Sequence, residues 1–357
     1  FRSPGRGSTK SDASCIPTPT FNVEESVMSD ILLQCNHLKK YFPTPAGYLH
    51  AVDDINLTIP RGKTLGIVGE SGCGKSTLGR CILRLIEPTS GEVLFDGRDV
   101  TKMDQKELHK MRREMQLIFQ DPYASLNPRK TVFQTISEPM RIYGICKDKA
   151  ELEHRTLELM DTVGLSDRYI NTYPHEIDGG RRQRIGIARA LSLDPKFVVC
   201  DEPVSALDVS IQAQILNLMM DLQDKMGLTY MFITHNLSVV KHISDEIAVL
   251  YLGQMVERAP RNELFSNPVH PYTQALLSAI PIPALGYKDK EPDLIRGEVT
   301  SPINPKPGCR FAPRCPYATK RCQEEQPMRD LGNGHIVACH RCGGALAGEP
   351  AAETAVG

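Results

Sequence analysis

Gly69-Glu70-Ser71-Gly72-Cys73-Gly74-Lys75-Ser76 decides how this chain is read. The stretch fits G-x-x-x-x-G-K-[ST] in the context that pattern requires, with the apolar run Leu65–Val68 before it reading as a strand and Ser76–Ile86 after it as a helix. Its glycines let backbone N–H groups close around a phosphate chain, and the helix N-terminus adds partial positive charge at the same place. Lys75 reaches the β- and γ-phosphates in such a loop, and Ser76 ligates Mg²⁺. Gly69, Glu70, Ser71, Gly72, Cys73, Gly74, Lys75, Ser76 and Thr77 are therefore the candidate nucleotide-binding residues.

Outward from that loop, short apolar strands alternate with helical stretches from Ile31 to Glu257, which predicts an α/β domain with a mostly parallel sheet. Gln116–Phe119, Phe197–Cys200, Tyr230–Thr234 and Ile247–Tyr251 are the further candidate strands. Between Asp121 and Pro195 only helical periodicity is seen, in Lys149–Val163 and again after Gly180, so a helical insertion is expected at about 121–195. Ile211, Ile215, Leu218, Met219, Leu222 and Met226 recur at helical spacing and form a core stripe on a helix that starts just after Asp208. The apolar strand Phe197–Cys200 ends in Asp201 and Glu202, a pair suited to one carboxylate that helps hold Mg²⁺ and one that orients or deprotonates the attacking water.

Composition narrows the function classes. In 357 residues, 41% hydrophobic and 24% charged content is ordinary for a globular protein and excludes a largely disordered or collagen-like chain. Lys plus Arg, 42, against Asp plus Glu, 43, lacks the basic excess of a protein that grips nucleic acid through phosphates, so no nucleic-acid partner is expected. No stretch approaches the roughly 18 apolar residues of a membrane span, so any membrane association goes through a partner and the chain is expected to be cytosolic. Residues 1–27, rich in Ser, Thr, Pro and Gly, precede Met28 and are expected to be disordered or a non-native extension. The nucleotide-binding domain is placed at 28–266, a proline-rich extension at 267–342 and a disordered Ala-rich tail at 343–357.

Five of the 11 cysteines crowd that extension. Cys309, Cys315, Cys322 and Cys339 are spaced C-x5-C-x6-C-x16-C, and four thiolates on a proline-stiffened loop suit zinc or an iron–sulfur cluster. Cys339-His340-Arg341-Cys342 keeps zinc open, and unmetallated thiols are the third reading.

Taken together the motifs resemble the ATP-binding cassette superfamily, whose fold is a RecA-like P-loop ATPase cassette with a helical subdomain. On that resemblance Gln120 after Phe119 is the Q-loop glutamine, a further Mg²⁺ contact beside Ser76 and Asp201. Asp208 closes the D-loop Ser205-Ala206-Leu207-Asp208, His235 is the switch histidine at the γ-phosphate, and Phe42 or Tyr41 stacks on adenine. The narrower resemblance is to the ATPase subunits of oligopeptide and dipeptide importers, the F-type member of a D/F pair. It rests on Tyr41-Phe42-Pro43, on Glu70 to Arg80, on Phe119-Gln120-Asp121-Pro122-Tyr123-Ala124-Ser125-Leu126-Asn127-Pro128-Arg129 and on His270-Pro271-Tyr272-Thr273-Gln274-Ala275. It implies an ATPase, with Glu202 as base, working with a D-type second cassette, two permease subunits and, indirectly, an extracytoplasmic substrate-binding protein, peripheral on the cytoplasmic face of the membrane. It also implies a 4Fe–4S cluster on Cys309, Cys315, Cys322 and Cys339, with zinc as the alternative.

One segment departs from the family. Where the resemblance calls for Ser-Gly-Gly-Gln, the chain has Asp178-Gly179-Gly180-Arg181. An ionised carboxylate cannot donate to a γ-phosphate, and at an effective dielectric of about 20 a like charge at roughly 4 Å costs on the order of 4 kcal/mol. Arg181 can offset part of that. An asymmetric pair is expected, in which the partner's ATP site, closed by this segment, is weak. A regulatory subunit that binds ATP without turnover, and an importer of metal chelates or other small solutes, are the alternatives.

Overall fold

Two β-sheets and a block of helices make up the protein, seen in a computed structural model that describes residues 30–280 and 300–343. The expected segment 1–27, and 343–357 beyond its first residue, lie outside the described residues. β1 (Ile31–Thr44) and β2 (Gly47–Pro60) form a long antiparallel hairpin. β3 (Thr64–Val68) leads through the glycine loop into α1 (Lys75–Ile82), followed by β4 (Ser90–Phe95), β5 (Arg98–Asp99), α2 (Gln105–Glu114) and β6 (Met115–Ile118). The chain is then helical, through α3 (Pro122–Ser125), α4 (Val132–Ile142), α5 (Lys149–Thr162) and α6 (Gly179–Leu191), before it returns as β7 (Phe197–Asp201). α7 (Val209–Met226), β8 (Thr229–Ile233), α8 (Leu237–Ile243), β9 (Glu246–Tyr251) and β10 (Gln254–Pro260) complete the cassette. α9 (Arg261–Ser266), α10 (Pro271–Ser278), β11 (Arg329–Asp330) and β12 (Ile336–Val337) follow.

Short polar side chains start these helices where sequence chemistry places them. Asp104 and Thr131 open α2 and α4 in reciprocal capping boxes with Glu107 and Gln134, and Asp148 and Asp208 cap α5 and α7 by accepting from backbone N–H groups.

The large sheet has the order β11-β12-β10-β9-β3-β8-β7-β6, and the run from β9 to β6 is parallel. All strands expected from apolar runs lie in that parallel run. β3, β7 and β8 are buried throughout and β9 nearly so, which is why they read as continuous apolar stretches, whereas β6 at the sheet edge leaves Gln116 and Leu117 half-buried. β7 shows how the two cores divide: Phe197 and Val199 pack with Leu78, Ile82 and Phe95, whereas Val198 and Cys200 pack with Ile187, Ile215 and Met219. The first core lies under the antiparallel sheet β2-β1-β4-β5, and the second joins the sheet to the helical block. Of the expected stripe on α7, Ile215, Met219 and Leu222 are buried, Ile211 and Leu218 pack at the edge, and Met226 is exposed.

The extension is sewn to the cassette by a buried carboxylate. Glu257 on β10, 0% exposed, accepts from the backbone N–H groups of Val269 (2.8 Å) and His270 (3.0 Å) and pairs with His335 Nε2 at 2.8 Å. β12 then adds to the free edge of β10 with Val337 opposite Glu257.

Candidate active site

The parallel strands deliver their functional residues at one end of the sheet, beyond the carboxyl ends of β3, β6, β7 and β8, as open α/β sheets do. The loop after β3 needs its glycines. A Cβ on Gly74, at φ +102°, would lie 1.9 Å from the Ala51 carbonyl oxygen, and one on Gly69 would lie 2.2 Å from that of Leu250. Lys75 is buried and donates from Nζ to the carbonyl oxygens of Gly69 (2.8 Å) and Glu70 (2.9 Å), which holds its ammonium over the loop. Ser76 Oγ donates to Asp201 Oδ1 at 2.6 Å, with Arg80 3.6 Å from the other carboxylate oxygen. A hydroxyl beside a buried carboxylate is a hard-oxygen pair that fits Mg²⁺.

Glu202 follows Asp201 at φ +47°, a left-handed backbone that non-glycine residues seldom adopt. The turn swings its side chain away from the Asp201 direction and between two partners. Gln120 Nε2 donates to Glu202 Oε2 at 3.0 Å, and His235 Nδ1 lies 3.1 Å from Oε1. Residues that follow β6, β7 and β8 thus meet at one carboxylate.

The two aromatic candidates separate. Tyr41 donates its hydroxyl to Asp53 and stacks on His50 with ring centroids 3.8 Å apart, whereas Phe42 lies under Lys40 Nζ at 4.8 Å. Burial and the Asp53 contact push the Tyr41 hydroxyl well above its usual range. Burial alone would raise the Asp53 carboxyl, but bonds from Tyr41 and His50 and the Arg310 charge hold it below the usual range.

Asp178 and Arg181 have no hydrogen bond or ion pair to these groups among the described residues. Asp178 caps α6, with Oδ1 accepting from the Arg181 N–H at 2.8 Å, and its other oxygen pairs with the Arg181 guanidinium. The guanidinium therefore offsets part of the carboxylate's charge within one turn of helix, as expected from the sequence. Gly180 packs close to α7, where a Cβ would lie 2.7 Å from Ile211 Cγ2. Asp208 accepts from the Ile211 N–H at 3.0 Å, and that bond lowers its carboxyl pKa.

Cys309, Cys315, Cys322 and Cys339 line one small cavity together with Phe311, Tyr317 and His340. The expectation of a 4Fe–4S cluster or zinc there is not supported. Among the described residues no group of three or more His, Cys, Asp or Glu side chains is gathered to hold a metal ion. Burial pushes the Cys309 thiol up to about 11 and raises those of Cys315 and Cys339.

Residues 52–205 match the family model "ABC transporter", and residues 256–322 match "Oligopeptide/dipeptide transporter, C-terminal region". The chain is 51% identical over 313 residues to the oligopeptide transport ATP-binding protein OppF of Bacillus subtilis, covering 87% of this chain and 97% of that protein. This chain belongs to the ABC transporter family. It is 48% identical over 321 residues to the oligopeptide transport ATP-binding protein AppF of the same organism, covering 87% of this chain and 97% of that protein. It is 50% identical to a probable peptide ABC transporter ATP-binding protein, y4tS, of Sinorhizobium fredii, covering 88% and 90%. Among solved structures it resembles the ATP-binding cassette MJ0796, described as a dimer in a post-hydrolysis state bound to ADP and Pi, with TM-score 0.60 and 30% identity over 64% of this chain and 99% of that one. The chain is thus a P-loop ATPase cassette of the ABC type. No helix among the described residues is long and apolar enough to cross a membrane.

The sequence did not single out His50 and Asp53 beside Tyr41, Arg80 beside Asp201, or Glu257 with His335. For Glu257 a signal exists, a lone carboxylate following the apolar Met255-Val256. The others become visible only once distant strands are paired.

Proposed function

We propose that this cassette hydrolyses ATP to power the import of dipeptides or oligopeptides, paired with a second, D-type cassette and docked on two permease subunits at the cytoplasmic face of the membrane. The observation that carries the hydrolytic role is Glu202 held between Gln120 and His235. Peptide as cargo is supported by the C-terminal match and by the relatives named for peptide transport.

The residues divide the work. The loop Gly69–Thr77 presents its N–H groups to the phosphate chain, and Lys75 exchanges its loop carbonyls for β- and γ-phosphate oxygens. Ser76 and Asp201, with Gln120, would hold Mg²⁺, which when bound neutralises charge on the β- and γ-phosphates. Glu202 Oε1 or Oε2 takes the proton of the water that attacks the γ-phosphorus, ADP leaves with the former bridging oxygen, and His235 orients the carboxylate and contacts the γ-phosphate. Tyr41, stiffened by Asp53 and His50, supports the adenine-stacking role better than Phe42. Gly179, Gly180 and the start of α6 face the partner's nucleotide in this reading, and the Asp178–Arg181 pair makes that second site the slower one.

A subunit that binds ATP without turnover is the competing reading, and the complete set of Lys75, Asp201, Glu202 and His235 speaks against it. A cluster on Cys309, Cys315, Cys322 and Cys339 is carried by the family resemblance alone, and iron and zinc content of anaerobically purified chain tests it. The hydrolytic role is tested with Glu202→Gln, which should bind ATP normally but lose on the order of a hundredfold or more in turnover. Unchanged turnover would remove Glu202 from the mechanism.

A further inference from the structure

The segment between the first two cysteines of the extension reaches both halves of the nucleotide site. Arg314 sends a two-pronged contact to Glu70 of the phosphate loop, Nη1 to Oε2 at 2.9 Å and Nη2 to Oε1 at 3.2 Å, and Nη1 also donates to the Tyr251 hydroxyl at 3.2 Å. Four residues earlier, Arg310 pairs with Asp53 and donates to the Leu252 carbonyl. Asp53 is the group that accepts from Tyr41. The arginine side chains are 7% and 6% exposed, so neither is a loose surface pair.

Phe311 anchors the strap between them. It is 1% exposed and packs against the rings of Tyr251 and Tyr272, each at 5.3 Å between centroids. Tyr272 in turn accepts the Glu70 backbone N–H at 2.8 Å. The phosphate loop is therefore held at Glu70 from its side chain by Arg314 and from its backbone by Tyr272, and both contacts come from the chain beyond the cassette.

We infer that Arg310 and Arg314 are positioning residues for nucleotide binding, through which the cysteine-bearing extension sets the affinity of the phosphate loop and of the Tyr41 face for ATP. The inference rests on the reading of Gly69–Thr77 as the nucleotide site. Neither arginine touches Gln120, Glu202 or His235, so the affinity for ATP should change while the rate at saturation is kept. A planar guanidinium fork matched to a carboxylate is a geometric device that Lys cannot reproduce. At metal sites, loss of a contact that only orients a binding residue changes affinity by about 10- to 100-fold, and the low end of that range is expected here.

The test uses the full chain and a fluorescent ATP analogue, with variants Arg314→Gln, Arg314→Lys, Glu70→Gln and the double Arg314→Gln/Glu70→Gln, and with thermal melting recorded for each. Each single change should weaken binding roughly tenfold, and the double should be no worse than either single, because both remove one contact. For the Arg314 variants the rate at saturating ATP, measured with the partner cassette, should stay within about twofold. Wild-type affinity in a folded Arg314→Gln variant would overturn the inference, as would additive losses in the double. If Arg314→Gln does not fold, Arg314→Lys decides by the same criterion. Lys75→Ala is the separate control: if it binds ATP normally, the phosphate-loop reading has failed rather than the role of the strap.

Discussion

Removing Arg181 should harm the cassette pair more than removing Asp178 and Arg181 together. Asp178 is 52% and Arg181 43% exposed, and the guanidinium pairs with one carboxylate oxygen while the helix start occupies the other. Arg181→Gln would leave an unpaired carboxylate in the segment that closes on the partner's nucleotide. For one unit charge at roughly 4 Å from another, repulsion is about 1 kcal/mol if water screens the site fully and about 4 kcal/mol at an effective dielectric of 20. That range corresponds to a site slowed by about fivefold to about a thousandfold. Asp178→Ser/Arg181→Gln removes both charges, and serine caps a helix about as well as aspartate, so α6 should keep its stability. The assay is steady-state Mg-ATPase of the assembled pair with this chain's own site silenced by Glu202→Gln, so that remaining turnover belongs to the partner's site. The expected order is the double variant fastest, the Asp178–Arg181 form next and Arg181→Gln slowest. An Arg181→Gln variant as fast as the parent would refute the argument that the arginine screens the carboxylate.

Two further outcomes concern the seam between cassette and extension. Glu257→Ala would leave the Val269 and His270 N–H groups without their acceptor in a buried place and His335 with only Glu263, 3.7 Å from its Nδ1, and should cost about 3–5 kcal/mol. Calorimetry should show a fall of roughly 10 °C in melting temperature, and a change under about 2 °C would contradict the stitching role. Stability should also peak in pH. Burial holds the His270 ring down at about 4 from 6.5, so as pH falls between those values the unfolded chain takes up a proton that the folded one refuses. That loss is on the order of 3 kcal/mol. The contact to Glu257 raises the His335 pKa, so its contribution is complete below about 6.5 and fades as pH rises through the folded value. Melting curves from pH 4 to 9 should therefore fall on both sides, and His270→Asn should flatten the acid side.

The parallel strands and the phosphate loop were legible because each is a local pattern, a doubly buried apolar run or a glycine spacing. The antiparallel hairpin was not. Its register shifts, between Cys35 and Leu38 and again around Lys40, break the two-residue alternation by which a strand is recognised. Glu202, Gln120 and His235 could be named singly but not joined, since their contacts span 82 and 33 residues of chain. The clamp from Arg310 and Arg314 spans 257 and 244 residues. No periodicity encodes a contact of that range; it follows from β12 adding to β10 and Phe311 burying itself against Tyr251. Asp178 shows the converse: its identity was plain in sequence, but its partner on the same helical turn decides what its charge does.

In the proposed function Glu202, poised by Gln120 and His235, hydrolyses ATP to drive peptide uptake. That role is measured as peptide uptake and phosphate release in vesicles carrying the two permeases, both cassettes and the external binding protein, with this chain as parent or as Glu202→Gln. The expected result is peptide-stimulated phosphate release and uptake in the parent, both lost together in the variant while ATP binding persists. Uptake that continues with Glu202→Gln, or phosphate release indifferent to peptide, would contradict the account.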